Sequence, residues 1–75
     1  MIINKDINPI RNIYYLGGRL IDILQNHDKG LLIYDAYEAM IEKVDISMNM
    51  FTLTLDWLYL IDVITIEDGR IYKCF

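Results

Sequence analysis

A mainly α domain closed by a C-terminal β-hairpin is what this sequence predicts. Three stretches carry apolar residues at helical spacing, and the break between the second and third is short. Near the end, an Asp-Gly pair separates two runs of alternating apolar residues, the strongest short-range hairpin signal. At 75 residues the chain is expected to form a single domain.

An N-terminal arm is expected over residues 1–8 and a first helix over 9–26. Asn8 is a good N-cap, and Pro9 at the first helical position loses no hydrogen bond that a helix would have made. Ile10, Ile13, Tyr14, Gly17, Leu20, Ile21 and Leu24 then keep helical spacing. Gly17-Gly18 weakens this helix by about 1 kcal/mol per glycine relative to alanine. A close helix crossing would require such glycines; a kink is the other reading. Asn26 to Gly30 reads as a loop.

Ile33, Ala36, Tyr37, Met40, Ile41 and Val44 signal a second helix over 34–43, with Asp35, Glu38 and Glu42 making its other face acidic. Asp45 or Ser47 would cap a third helix over 48–61. Asp62 suits its terminus, because aspartate tolerates the left-handed conformation found there. A hairpin is expected over 63–74, with Asp68-Gly69 in a type I′ turn. That register pairs Ile66 with Ile71 and puts Ile64 on the same face. Three helices with a short second turn, followed by a β wing, spell a winged helix-turn-helix over residues 1–75.

The third helix decides the function class. In a DNA-reading winged helix it enters the major groove and presents Arg, Lys, Asn or Gln to base edges. Here Phe51, Leu55 and Leu58 form one apolar stripe, assigned to the domain's own core. Met50, Leu53, Trp57, Leu60 and Ile64 form a second stripe at heptad spacing, leaving Asn49, Thr52, Asp56 and Tyr59 in the remaining sector. A surface helix usually needs an apolar arc of little more than about 100°. Met50, Leu53, Trp57 and Leu60 are therefore the candidate partner interface, since Trp, Met and Tyr anchor buried contact patches. The competing reading buries both stripes inside one monomer.

Charge points the same way. The chain has 7 Lys+Arg against 11 Asp+Glu, a net charge of -4, and no basic residue between Lys43 and Arg70. Phosphate neutralisation supplies most non-specific nucleic-acid affinity, so DNA binding by this chain alone is disfavoured. Hydrophobic residues make up 55%, which excludes the disordered class. The chain supplies 14 Ile and 9 Leu, more apolar material than a small core readily hides. No apolar run approaches the roughly 18 residues of a membrane span, and the N-terminus lacks signal-peptide character, so a cytoplasmic location is expected.

Sites of chemistry are not evident in the sequence. There is no nucleophile–base pair, phosphate-binding glycine loop or metal-ligand spacing, so neither an enzyme nor a cofactor is expected. His27, the single histidine, lies in a polar loop, and Cys74, the single cysteine, is expected half-buried on the last strand. Asp56, a carboxylate inside an apolar run, is expected to meet a backbone or hydroxyl partner.

Three segments carry a family resemblance: Asn4-Lys5-Asp6-Ile7, Leu16-Gly17-Gly18-Arg19-Leu20-Ile21, and Phe51 to Ile61 followed by Ile64 and the Asp-Gly hairpin. Together they resemble the middle component six family of bacterial ABC-three-component systems, which include Lamassu-like defence operons. The resemblance covers nearly the whole chain, and its most specific piece is Leu55-Asp56-x-Leu58-Tyr59-x-Ile61. Asp62 departs from the glycine usual in the family, a change that suits the same helix terminus.

The resemblance implies a winged-helix adaptor between an SMC-like or ABC-type ATPase and an effector protein in anti-phage defence. Nucleic acid would then be met only indirectly, through the complex. The alternative is a homodimeric winged-helix transcriptional regulator that binds DNA itself. A dimer using the second stripe on itself is a third reading.

Overall fold

The computed structural model describes residues 9–75, with side chains from Ile13 onward. The expected arm over 1–8, the Asn8 cap and the Ile10 side chain lie outside the described residues. The elements are α1 (Pro9–Leu24), β1 (Leu31–Leu32), α2 (Ile33–Ile41), α3 (Met48–Leu60), β2 (Ile64–Glu67) and β3 (Arg70–Lys73). The mainly α architecture thus combines three helices with a small antiparallel sheet of order β1-β3-β2.

The core lies where the three helices meet the sheet. Leu20 and Leu24 from α1, Met40 from α2, Phe51 and Leu58 from α3, and Ile64 and Ile71 from the hairpin are almost fully buried. Each such side chain contributes about 1.5–3 kcal/mol of transfer free energy. Tyr37 packs edge-on to Phe51, with ring centroids 5.2 Å apart. Two residues expected on the apolar faces lie outside this core: Tyr14 is 64% exposed and Ile41 is 47% exposed.

Helix α1 stops at Leu24, two residues before the expected boundary. Asn26 N–H donates to Ile23 O and His27 N–H to Leu24 O, tightening the chain into turns of shorter repeat. Gly30, at φ +86°, then redirects the backbone; a Cβ there would lie 2.6 Å from the Tyr72 ring. This turn delivers β1, an element not expected from the sequence, whose Leu31 and Leu32 pair with Ile71 and Arg70.

Helix α2 has no side-chain cap. Instead Ile33 N–H donates to Gly69 O at 2.9 Å, so the tip of the hairpin satisfies one of the unpaired N–H groups at the helix start. The helix ends at Ile41 rather than 43, because the N–H groups of Lys43 and Val44 both turn back to Met40 O. Its outer face, Asp35, Glu38 and Glu42, is exposed and acidic as expected.

In the hairpin, Ile66 pairs with Ile71 as the sequence register requires, and Ile64 is buried on the same side. Asp68 (φ 52°) and Gly69 (φ 77°) both adopt the left-handed conformation of a type I′ turn. Cys74 N–H donates to Val63 O at 2.9 Å, carrying the ladder one step beyond the strands. The Cys74 side chain is exposed, not half-buried as expected: β3 ends at Lys73, so the thiol has left the covered face.

Candidate partner-binding face

Helix α3 is fixed at both ends. Ser47, not Asp45, is its N-cap, with the side-chain oxygen accepting from Met50 N–H at 3.1 Å. At the far end Asp62 is left-handed (φ 65°), Asp62 N–H donates to Tyr59 O, and Val63 N–H donates to Leu58 O. That is a Schellman closure with aspartate in the position glycine usually takes. These two caps, with the core beneath, set the rotation of the helix about its axis.

The inward side holds Phe51, Thr54, Leu55 and Leu58, so the first stripe is core as expected. Thr54 is the one polar side chain buried among the described residues. Its Oγ1 donates to Met50 O at 2.8 Å, which removes the cost of burying the hydroxyl.

The second stripe divides into three. Ile64 is 2% exposed and belongs to the core, a correction to the heptad reading. The helix ends at Leu60 and the left-handed Asp62 turns the chain inward, so helical spacing no longer applies at residue 64. Met50 and Trp57 are half-buried and lean on the core. Leu53 and Leu60 stand out from the surface at 51% and 76% exposed. The reading that hides both stripes within one monomer therefore fails at these two leucines.

Gly17 explains the position of Trp57. A Cβ at residue 17 would lie 3.0 Å from the indole Cζ3 and 3.4 Å from Leu58 Cδ2, whereas one at Gly18 would meet nothing within 4 Å. Gly17 is thus the close-crossing glycine, and the indole fills the slot it leaves. Tyr14 also packs against that indole in a T-shaped arrangement, with centroids 5.1 Å apart and planes at 77°. Tyr14 adds to the candidate face, although its spacing had placed it with the α1 core. Its position three residues before Gly17 was the available signal, since it sits one turn from the crossing.

Asp56 lies three residues after Leu53 and four before Leu60, between the two exposed leucines on the helix surface. It is exposed, and the expected backbone or hydroxyl partner is not found among the described residues, where it has no hydrogen bond or ion pair. The one ion pair among the described residues lies elsewhere, between Lys73 Nζ and Asp28 Oδ1 at 2.8 Å. Lys73 Nζ also donates to Gln25 O at 3.1 Å, tying β3 to the loop after α1. Hydrogen bonding to Lys73, reinforced by its charge, holds the Asp28 carboxyl below the usual aspartate range.

Among the described residues, chemistry-bearing side chains do not converge in the same way. His27 is exposed in the loop after α1. Among the described residues no group of three or more His, Cys, Asp or Glu is placed to hold a metal ion. No described helix is long and apolar enough to cross a membrane. An open groove runs beside the face, between Tyr15 and Leu16 of α1 and the Lys43–Ser47 connection, with Met50 at its edge. What this surface offers is a broad apolar contact with one carboxylate in it.

The sequence matches the family model of the ABC-three component (ABC-3C) system Middle Component 6 over residues 3–74. Neither the curated proteins nor the solved structures contain a match. The chain belongs to the ABC-3C Middle Component 6 family, and as a middle component it has partner components to meet.

Proposed function

We propose that this chain is a non-catalytic winged-helix adaptor that bridges an SMC-like or ABC-type ATPase and an effector in a cytoplasmic anti-phage defence complex. It acts through protein–protein contacts, with Met50, Leu53, Trp57 and Leu60 in the interface. The observation that carries this reading is the outer face of α3. In the position where a DNA-reading winged helix would present base-reading side chains, this helix presents Leu53, Leu60 and a half-buried Trp57 beside one carboxylate. Exposed leucines rimming an aromatic anchor are the pattern of a protein contact.

The transcriptional-regulator alternative needs phosphate contacts that this helix does not supply. No basic residue lies between Lys43 and Arg70, and Lys73 of the hairpin is engaged by Asp28 and Gln25. DNA sensing and ATP hydrolysis then fall to the ATPase, and toxicity to the effector. Purification of the tagged chain from its native operon, with the co-eluting proteins identified by mass spectrometry, tests the reading. Stoichiometric recovery of a large ATPase is the expected result. Recovery of the chain alone, or with nucleic acid only, would overturn it.

A further inference from the structure

The exposed face of α3 also constrains the chemistry of what covers it. Leu53 and Leu60 are separated by seven residues, two helical turns, with Asp56 between them on the same side. A partner that buries the two leucines must also desolvate that carboxylate. An ionised carboxylate taken from water without a counter-charge is strongly unfavourable, so the covering surface has to bring a cation and hydrogen-bond donors. Along the helix the leucines and Met50 and Trp57 keep the 3-4 spacing of a heptad seam, which a second helix matches.

From this we infer that the face is the docking site for an amphipathic basic helix of another protein. That helix places a Lys or Arg against Asp56, and its apolar residues against Leu53, Leu60 and the Tyr14–Trp57 shelf. The inference rests on the adaptor role proposed above and names the kind of partner segment that role requires. Charge decides against a second copy of this chain. In a two-fold pairing of α3 with itself, the same face meets the same face, and α3 carries no Lys or Arg at all. Asp56 would then be desolvated with no cation on the facing helix, whereas a basic helix neutralises it and is drawn in by the chain's net charge of -4.

The test uses the complex recovered from the operon and measures the affinity of its remaining components for three variants of this chain. They are Asp56→Asn, Asp56→Lys and the double variant Leu53→Ser/Leu60→Ser. Asp56 and both leucines are exposed, so each variant is expected to keep the circular dichroism and melting profile of the native chain. Asp56→Lys is expected to weaken assembly on the order of thirtyfold or more, with Asp56→Asn intermediate. The native complex should weaken more steeply with salt than the Asp56→Asn complex.

If Asp56→Lys binds as tightly as the native chain while the double leucine variant is lost, the face is a docking site but its partner is not basic, and this inference fails alone. If the double leucine variant also binds normally, the interface reading fails with it. A native chain that scatters light as a dimer, reverting to monomer on Leu60→Ser, would give the face to a second copy and overturn the inference.

Discussion

Gly17 and Gly18 are neighbours in one helix, yet only Gly18 should gain stability on replacement by alanine. Alanine is favoured over glycine in a helix interior by about 1 kcal/mol, largely because it narrows the unfolded ensemble. At Gly18 a Cβ meets nothing within 4 Å, so Gly18→Ala should collect that gain in full. For a domain of this size, about 1 kcal/mol corresponds to a rise of roughly 4–8 °C in the melting temperature. At Gly17 the new Cβ would lie 3.0 Å from Trp57 Cζ3 and 3.4 Å from Leu58 Cδ2. Overpacking of this kind costs about 1–3 kcal/mol, which cancels the propensity gain or exceeds it by up to about 2 kcal/mol. Thermal unfolding followed by circular dichroism reads both variants directly. Tryptophan emission should shift to the red in Gly17→Ala as the indole is pushed toward water, and stay unchanged in Gly18→Ala. A Gly17→Ala melting temperature raised as much as that of Gly18→Ala, with unchanged emission, would refute the close crossing of α1 and α3 and the slot that holds Trp57.

Other consequences can be checked with the same measurements. Ser47→Ala removes the oxygen that accepts from Met50 N–H and should cost about 1 kcal/mol in a denaturant melt, whereas Ser47→Asp should cost far less. Gly30→Ala combines a left-handed backbone with a Cβ 2.6 Å from the Tyr72 ring, and should destabilise by more than about 1 kcal/mol. The pairing with Lys73 depresses the Asp28 carboxyl, so the charged form is favoured in the folded state. Its contribution is present above pH about 4 and is lost as the pH falls through the lowered value. A native chain should therefore lose stability relative to Asp28→Asn in melts stepped from pH 5 to pH 2, and at high salt the difference should shrink.

Much of this fold was legible in the sequence because its signals are local. Pro9 opens α1, Ser47 caps α3, Asp62 ends it, and Asp68-Gly69 turns the hairpin; each acts within a few residues of the backbone it shapes. Strand β1 was missed for the opposite reason. Leu31 and Leu32 are too few to show alternation, and what makes them a strand is pairing with β3, close to forty residues further along the chain. The helix ends at residues 24 and 41 were overrun because the closing hydrogen bonds are backbone turns with no side-chain mark.

The candidate face was legible in part. Phe51, Leu55 and Leu58 are legible as core from their spacing alone, since a straight helix keeps its phase. Ile64 was misplaced because the Asp62 turn resets that phase. Trp57 was placed with the exposed leucines, yet it is wedged against Gly17, so Trp57→Ala perturbs packing as well as any contact. The spacing of Tyr14 fits the apolar side of α1, and only the tertiary crossing shows that it packs on the Trp57 indole while staying exposed.

Leu53 and Leu60 are therefore the cleanest probes of the adaptor reading, being the stripe residues that project into solvent. The most direct measurement is the affinity of the Leu53→Ser/Leu60→Ser chain for the other components of its complex, set beside its melting temperature. The account predicts an unchanged melt and a loss of assembly. A chain that melts normally and still assembles with native affinity would contradict it.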